Sequence, residues 1–223
     1  MPDTAHEKAH VEPGGPFWLD HLGTAIVRKC SVSEMDNNAY LITCRRTGAQ
    51  LMIDAAADPD RLLQLVAAGS GQLDVVVTTH SHWDHHRALE QVVAQFSPRT
   101  AAGAEDADEL PVTPDVRLAH GDQVTVGELV LDVVALRGHT PGSIGLALAD
   151  GAGRIHLFTG DSLFPGGPGR TTDPDAFASL MDDLQARVFD VYPDTTVVHP
   201  GHGDSTTLGA ERPQLAQWRE RGW

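Results

Sequence analysis

The sequence predicts an α/β fold in which two packed β-sheets are flanked by helices. Three observations carry this. Short apolar runs of strand length recur along the chain. Helix-length stretches with an apolar stripe are interspersed among them. Several of the apolar runs end in loops rich in histidine and aspartate, as they do where strand ends build a site. The 223 residues suffice for one large domain or two small ones, and no short-period repeat or low-complexity linker divides them.

Residues 1–16 are polar and rich in His, Glu and Pro. They read as a flexible lead-in, with the domain running from 17 to 223. The lead-in lacks an apolar stretch of signal-peptide length, and no later run is long enough to span a bilayer, so the sequence predicts a cytoplasmic protein. His6 and His10 fall in the lead-in and receive no metal role. Strands are expected at about 24–30, 38–44 and 50–54. A helix follows over 59–68, with Leu62, Leu63, Leu65 and Val66 as its apolar stripe, Pro59 in its first turn and Asp58 as its cap. The apolar run 73–78 is the next strand. A helix is expected over about 84–96, with Leu89, Val92, Val93 and Phe96 on one face. Short strands follow near 116–118, 124–126, 129–136, 144–149 and 155–159. Asp173-Pro174 opens another helix, with Phe177, Leu180, Met181, Leu184 and Val188 facing inward. A strand at 195–198 and a helix from about 209 to 221 complete the chain.

Composition narrows the partners. Thirty-one acidic residues against 16 basic give a formal charge of −15. Such a surface repels phosphate backbones and anionic lipids, which argues against nucleic acid and membranes and leaves small molecules. The two cysteines, Cys30 and Cys44, make no disulfide framework and read as buried free thiols.

The chemistry concentrates in Thr79-His80-Ser81-His82-Trp83-Asp84-His85-His86, directly after the apolar run 73–78. Imidazole and carboxylate are preferred ligands of Zn²⁺, Fe²⁺ and Mn²⁺. His80 and His82 are two apart in extended chain and can face one point; Asp84 and His85 follow where the chain turns away. Spacing alone therefore suggests two adjacent ligand sets. Three later loops repeat the pattern: Arg137-Gly138-His139-Thr140-Pro141-Gly142-Ser143, Gly160-Asp161-Ser162-Leu163-Phe164 and His199-Pro200-Gly201-His202-Gly203.

With its His-x-His-x-Asp-His run, a distal His, an Asp and a final His, the chain resembles the metallo-β-lactamase superfamily from about Asn37 to Gly203. The resemblance implies a four-layer αββα sandwich. It also implies two divalent metal ions, zinc first, with iron or manganese as alternatives. His80, His82 and His139 would hold one ion and Asp84, His85 and His202 the other, with Asp161 bridging. Asp84 would in addition act catalytically, orienting the nucleophile or passing a proton. Asp54, after the run 50–53, matches a carboxylate beside the ligands that would accept an imidazole N–H; a plain strand-end turn residue is the other reading. Asn38 and Tyr40 match a structural segment. His86, His120, His156 and His199 read as structural or solvated.

Within the superfamily, the segments around His82, His139 and Asp161 are similar to the glyoxalase II-like group. This implies a binuclear hydrolase that cleaves a thioester or ester through a metal-bound hydroxide. The acyl group and thiol stay open. The Gly-Gly that usually follows the histidine motif is Arg87-Ala88-Leu89 here, only about twenty residues follow Gly203, and Thr171-Thr172 replaces the group's aromatic-Glu-Gly. Arg170 occupies the place of a basic residue that contacts substrate carboxylates; it also reads as an exposed arginine of the Gly-Pro-rich loop 165–169. The alternatives are a lactonase, a mononuclear iron persulfide dioxygenase and a non-catalytic binding protein.

Overall fold

A computed structural model describes residues 9–222. Its first sheet takes the order β1 (Trp18–His21), β2 (Ala25–Val32), β3 (Asn37–Cys44), β4 (Gln50–Ile53), β5 (Val75–Thr78), β6 (Arg99–Gly103), β7 (Val116–Leu118). The second sheet takes β8 (Gln123–Val126), β9 (Leu129–Ala135), β10 (Ile144–Ala149) and β11 (Ile155–Gly160), then β14 (Val197–Pro200) and β15 (Thr206–Thr207). A small hairpin, β12 (Leu163–Phe164) with β13 (Gly167–Pro168), lies between β11 and the helix that follows.

The inner faces of the two sheets bury one core, including Val27, Ile42, Leu51 and Val77 from the first and Leu131, Leu146 and Phe158 from the second. Helices α1 (Pro59–Ala67) and α2 (Leu89–Phe96) cover the outer face of the first sheet through Leu62, Leu65, Leu89 and Val92. Helix α3 (Pro174–Leu184) and the C-terminal helices α4 (Leu208–Glu211) and α5 (Leu215–Arg221) cover the second through Phe177, Leu180, Leu184, Leu208 and Trp218. The expected αββα layering is thereby realised.

Strand direction explains where the site lies. β4 and β5 are parallel, and so are β11 and β14. β9 runs antiparallel to β10, which is antiparallel to β11, so β9 points the same way as β11. β3 is antiparallel to β4, which brings its first residues to the end where β4 and β5 stop. Five loops and one strand start therefore meet at one end of the sandwich.

Several expectations are corrected. The helix expected over 84–96 is interrupted: Trp83–His85 is a single 3₁₀ turn, and α2 begins at Leu89. The reason is visible in the backbone, because the N–H groups of Arg87 and Ala88 donate to Ala56 and Ala55 instead of to the preceding turn. Asp58 occupies the cap position of α1 but makes no capping bond; its backbone is left-handed and its carboxylate accepts from Ser33 N at 3.1 Å. The C-terminal helix breaks around Pro213 into two helices joined by a 3₁₀ turn. β1 and β6 went unpredicted. β1 is a half-exposed edge strand, and Arg-Thr-Ala-Ala-Gly has little β-propensity; pairing with β5 and β7 decides it. Of the lead-in, His6 lies outside the described residues. From Ala9 onward the chain is anchored: Ala9 and Val11 are buried, Lys29 Nζ donates to Ala9 O, and His10 bonds Asp204 at 2.6 Å. Both cysteines are buried free thiols. No helix among the described residues is long and apolar enough to cross a membrane.

Leu180 is fully buried where α3 meets the second sheet. Leu180→Ala should destabilise the fold by about 2–5 kcal/mol, read from chemical denaturation. An unchanged midpoint would mean that α3 adds little to the core.

Candidate metal centre

The seven side chains expected as ligands converge. His80 Nε2, His82 Nδ1 and His139 Nε2 form one group, with His82 Nδ1 and His139 Nε2 only 2.9 Å apart. Asp84, His85 and His202 form a second, with Asp84 Oδ2 at 3.3 Å from His202 Nε2 and 3.6 Å from His85 Nε2. Asp161 lies between them. Its Oδ2 is 3.7 Å from His139 Nε2 and 3.4 Å from His202 Nε2, and its Oδ1 is 3.4 Å from His85 Nε2. One carboxylate thus reaches both groups.

Four of the five imidazoles, those of His80, His85, His139 and His202, are aimed by a partner on their far side. Asp54 accepts from His85 Nδ1 at 2.9 Å, and its carboxylate is itself fixed by Thr79 N at 2.7 Å and Thr79 Oγ1 at 2.8 Å. Of the two readings of Asp54, the ligand-orienting one matches these contacts. His202 Nδ1 donates to Met35 O at 2.8 Å, and His139 Nδ1 to Arg170 O at 2.6 Å. Donation from Nδ1 leaves Nε2 as a lone pair facing inward, the tautomer that a metal ligand needs.

The donor set fits a divalent cation. His80 Nε2 and Asp161 Oδ1 are buried and have no hydrogen-bond partner. Buried polar atoms are rarely left so, and a cation between the two groups would satisfy both. Electrostatics divide the histidines. Burial lowers His85 and His202, but hydrogen bonds to Asp161 and Asp54, and to Asp161 and Asp84, prevail and raise them to about 9 and about 10, so a cation entering the site would displace protons from these two. Burial, then the neighbouring His85, push His80 well below its ordinary value, which keeps its imidazole in the neutral form that a metal ligand needs. Burial raises the Asp161 carboxyl, but His202 and His85 outweigh it and hold Asp161 well below the usual range. Asp84 is likewise lowered: burial opposes, and His202 and Asn37 prevail.

The surroundings explain residues that the sequence left vague. Asn38 Nδ2 donates to Pro200 O and Gly203 O, Tyr40 Oη donates to Pro200 O, and Lys29 Nζ donates to Gly203 O. Three side chains from β2 and β3 therefore clamp the loop that carries His202. Gly201 is required there, since a Cβ would stand 2.2 Å from Asp161 Oδ1. Asn37 was missed altogether; its amide touches Asp84 and His202. The one available signal was its place beside Asn38 at a strand start. The extra histidines stay apart. His86 bonds Ser81 O, His120 is exposed, and buried His156 and His199 stack at 5.4 Å.

A cleft of about 730 Å³ opens beside His82 and His139, with Ser81, Glu109, Arg137 and Asp173 among its walls. Arg137 is held by buried Asp183 through two 2.8 Å contacts. Arg170 does not line this cleft; its residue is exposed, and its carbonyl holds His139. Gly169 permits this, because a Cβ there would lie 1.7 Å from Asp161 O. Gly169→Ala should therefore displace the loop and weaken metal binding by about 10–100-fold, while Arg170→Ala, which keeps the carbonyl, should not. Wild-type metal affinity in Gly169→Ala would show that the carbonyl contact is dispensable.

Residues 32–202 match the metallo-β-lactamase superfamily. The chain is 30% identical over 171 residues to the probable hydroxyacylglutathione hydrolase glo2 of Schizosaccharomyces pombe, covering 75% of this chain and 64% of that one. It is 34% identical to the hydroxyacylglutathione hydrolase of Acidiphilium cryptum, covering 75% and 66%. Among solved structures, ETHE1 from Myxococcus xanthus superposes with a TM-score of 0.75 at 33% identity, covering 86% of this chain and 84% of that one. TTHA1623 in a di-iron-bound form gives a TM-score of 0.67 at 29% identity, covering 82% and 96%. The chain thus spans about two-thirds or less of the curated hydrolases' length and most of the two solved structures. The chain belongs to the metallo-β-lactamase superfamily.

Proposed function

We propose that this chain is a binuclear metal-dependent hydrolase that cleaves a thioester or related ester, and that it works in the cytoplasm. The observation that carries the reading is the completeness of both ligand groups around one shared carboxylate, Asp161. The hydroxyacylglutathione hydrolases among its relatives support the thioester, and the di-iron form of TTHA1623 supports a two-ion site. Zinc suits the histidine-rich set, with iron and manganese as alternatives.

When bound, a divalent pair supplies a nucleophilic water at neutral pH and polarises the substrate carbonyl. The chain's own groups do the rest. Asp84 stays ionised in its contacts with His202 and Asn37, so at rest it accepts hydrogen bonds. Its role is to orient the attacking water or to take up a proton and pass it to the leaving group. The cleft beside His82 and His139 receives the substrate. Arg170, exposed at the end of the loop 165–170, is assigned a remote anionic group.

Saturated protein should carry about two ions per chain and hydrolyse a thioester from a substrate panel. Asp161→Ala should lose at least one ion and most of the activity while remaining folded, because the charge that offsets cation repulsion is gone. A fully metallated, active variant would mean that another group bridges. Turnover of lactones without thioesters would transfer the assignment to a lactonase.

A second reading is favoured by one observation, the near end-to-end likeness to ETHE1, and would make the chain an iron-dependent persulfide dioxygenase. Oxygen uptake by an iron-loaded, single-ion protein would select it.

Arg170→Ala should raise KM for carboxylate-bearing thioesters about tenfold and leave kcat nearly intact, because a contact remote from the reacting carbonyl binds ground and transition states alike. Equal losses on neutral esters would show that Arg170 shapes the loop and does not read the substrate.

A further inference from the structure

We propose that Asn37 is a positioning residue that sets the strength of the second ligand group, Asp84, His85 and His202, independently of the first. The inference rests on the two-ion reading above.

Asn37 is the first residue of β3 and is fully buried. Its Nδ2 donates to Asp84 Oδ2 at 2.9 Å and lies 3.3 Å from His202 Nε2. Asp84 and His202 come from opposite sheets, and this one amide touches both. Its orientation is decided by its other end. Ser33 Oγ donates to Asn37 Oδ1 at 2.7 Å, and Arg87 approaches the same oxygen at 3.5 Å, so the nitrogen must face the ligands.

The backbone supports the same conclusion. Asn37 forms an isolated β-bridge with His202, and Met35 O holds His202 Nδ1. The turn that contains these contacts is strained: Ser33 and Asp36 both have positive φ, at 65° and 56°. Side chains other than glycine adopt that conformation at a cost and keep it only where the surroundings over-determine it. The turn 33–37 therefore grips His202 from its Nδ1 side and Asp84 through Oδ2. Among the described residues no such contact reaches the first group: His80 is held by Thr79 and His139 by Arg170 O.

One lone pair of Asp84 Oδ2 is spent on the amide, which fixes the direction of the other. Removing the amide lets the carboxylate rotate and frees His202 on one side. Orienting partners of metal ligands are typically worth 10–100-fold in affinity.

The test is competition for Zn²⁺ between the full chain and a chromophoric chelator, with Co²⁺ absorption as a second readout. Asn37→Ala should loosen one ion by about 10–100-fold, leave the other unchanged, and alter the Co²⁺ spectrum of the loosened site only. Ser33→Ala, which removes only the hydroxyl that orients the amide, should loosen the same ion to a smaller degree; it serves where Asn37→Ala does not fold. Loosening of both ions together, or of neither, overturns the inference and leaves the two-ion reading standing. A wild-type chain that saturates with one ion removes both.

Discussion

Asp161 sits between five imidazoles and a second carboxylate, and the functional end of the molecule is organised around keeping it there. A buried carboxylate beside buried nitrogen lone pairs is tolerable only if something positive completes it. The fold meets this by anchoring five of the seven converging side chains from behind. Asp54 and Thr79 hold His85 and His80, Met35 and Arg170 carbonyls hold His202 and His139, and Asn37 holds Asp84. Those anchors come from both sheets, so the site exists only when the sandwich is closed. Stability and chemistry are coupled at this point: the loop that carries His202 is clamped by Lys29, Asn38 and Tyr40, all buried in the first sheet.

Much of this was legible in the sequence. Apolar runs that end in histidine or aspartate marked where strands stop, and the αββα layering followed from helical stripes such as Leu62, Leu65 and Val66. The seven side chains that converge at the site were legible because each is a metal-binding type at a strand end. What stayed hidden depended on partners distant in sequence. Asn37 and the Arg170 carbonyl have no signature of their own; their roles arise only when residues 47 and 31 positions away arrive beside them. β6 was hidden because Arg-Thr-Ala-Ala-Gly forms a strand only between β5 and β7. The interruption before α2 was hidden for a related reason, because the 55–56 carbonyls capture N–H groups that a regular helix would use.

The Gly-Pro loop gains a second meaning from the structure. Sequence reading gave the loop an exposed arginine, Arg170, in the place of a residue that contacts substrate carboxylates. In the fold, its close approach at Gly169 also carries the carbonyl that orients His139. The loop is therefore a wall of the metal centre as well as a candidate contact for substrate, and any movement of it on binding would be felt by the ligand behind it. The cleft beside His82 and His139 mixes carboxylates with Arg137, whose charge is already committed to Asp183.

The central claim, that two groups of ligands share one carboxylate, is tested most directly by the metal positions themselves. In a crystal of the zinc-loaded chain, anomalous scattering at the zinc edge should give two peaks, one among His80, His82 and His139 and one among Asp84, His85 and His202, with Asp161 reaching both. A single peak at full saturation, with Asp84 and His202 still held by Asn37, would contradict the account.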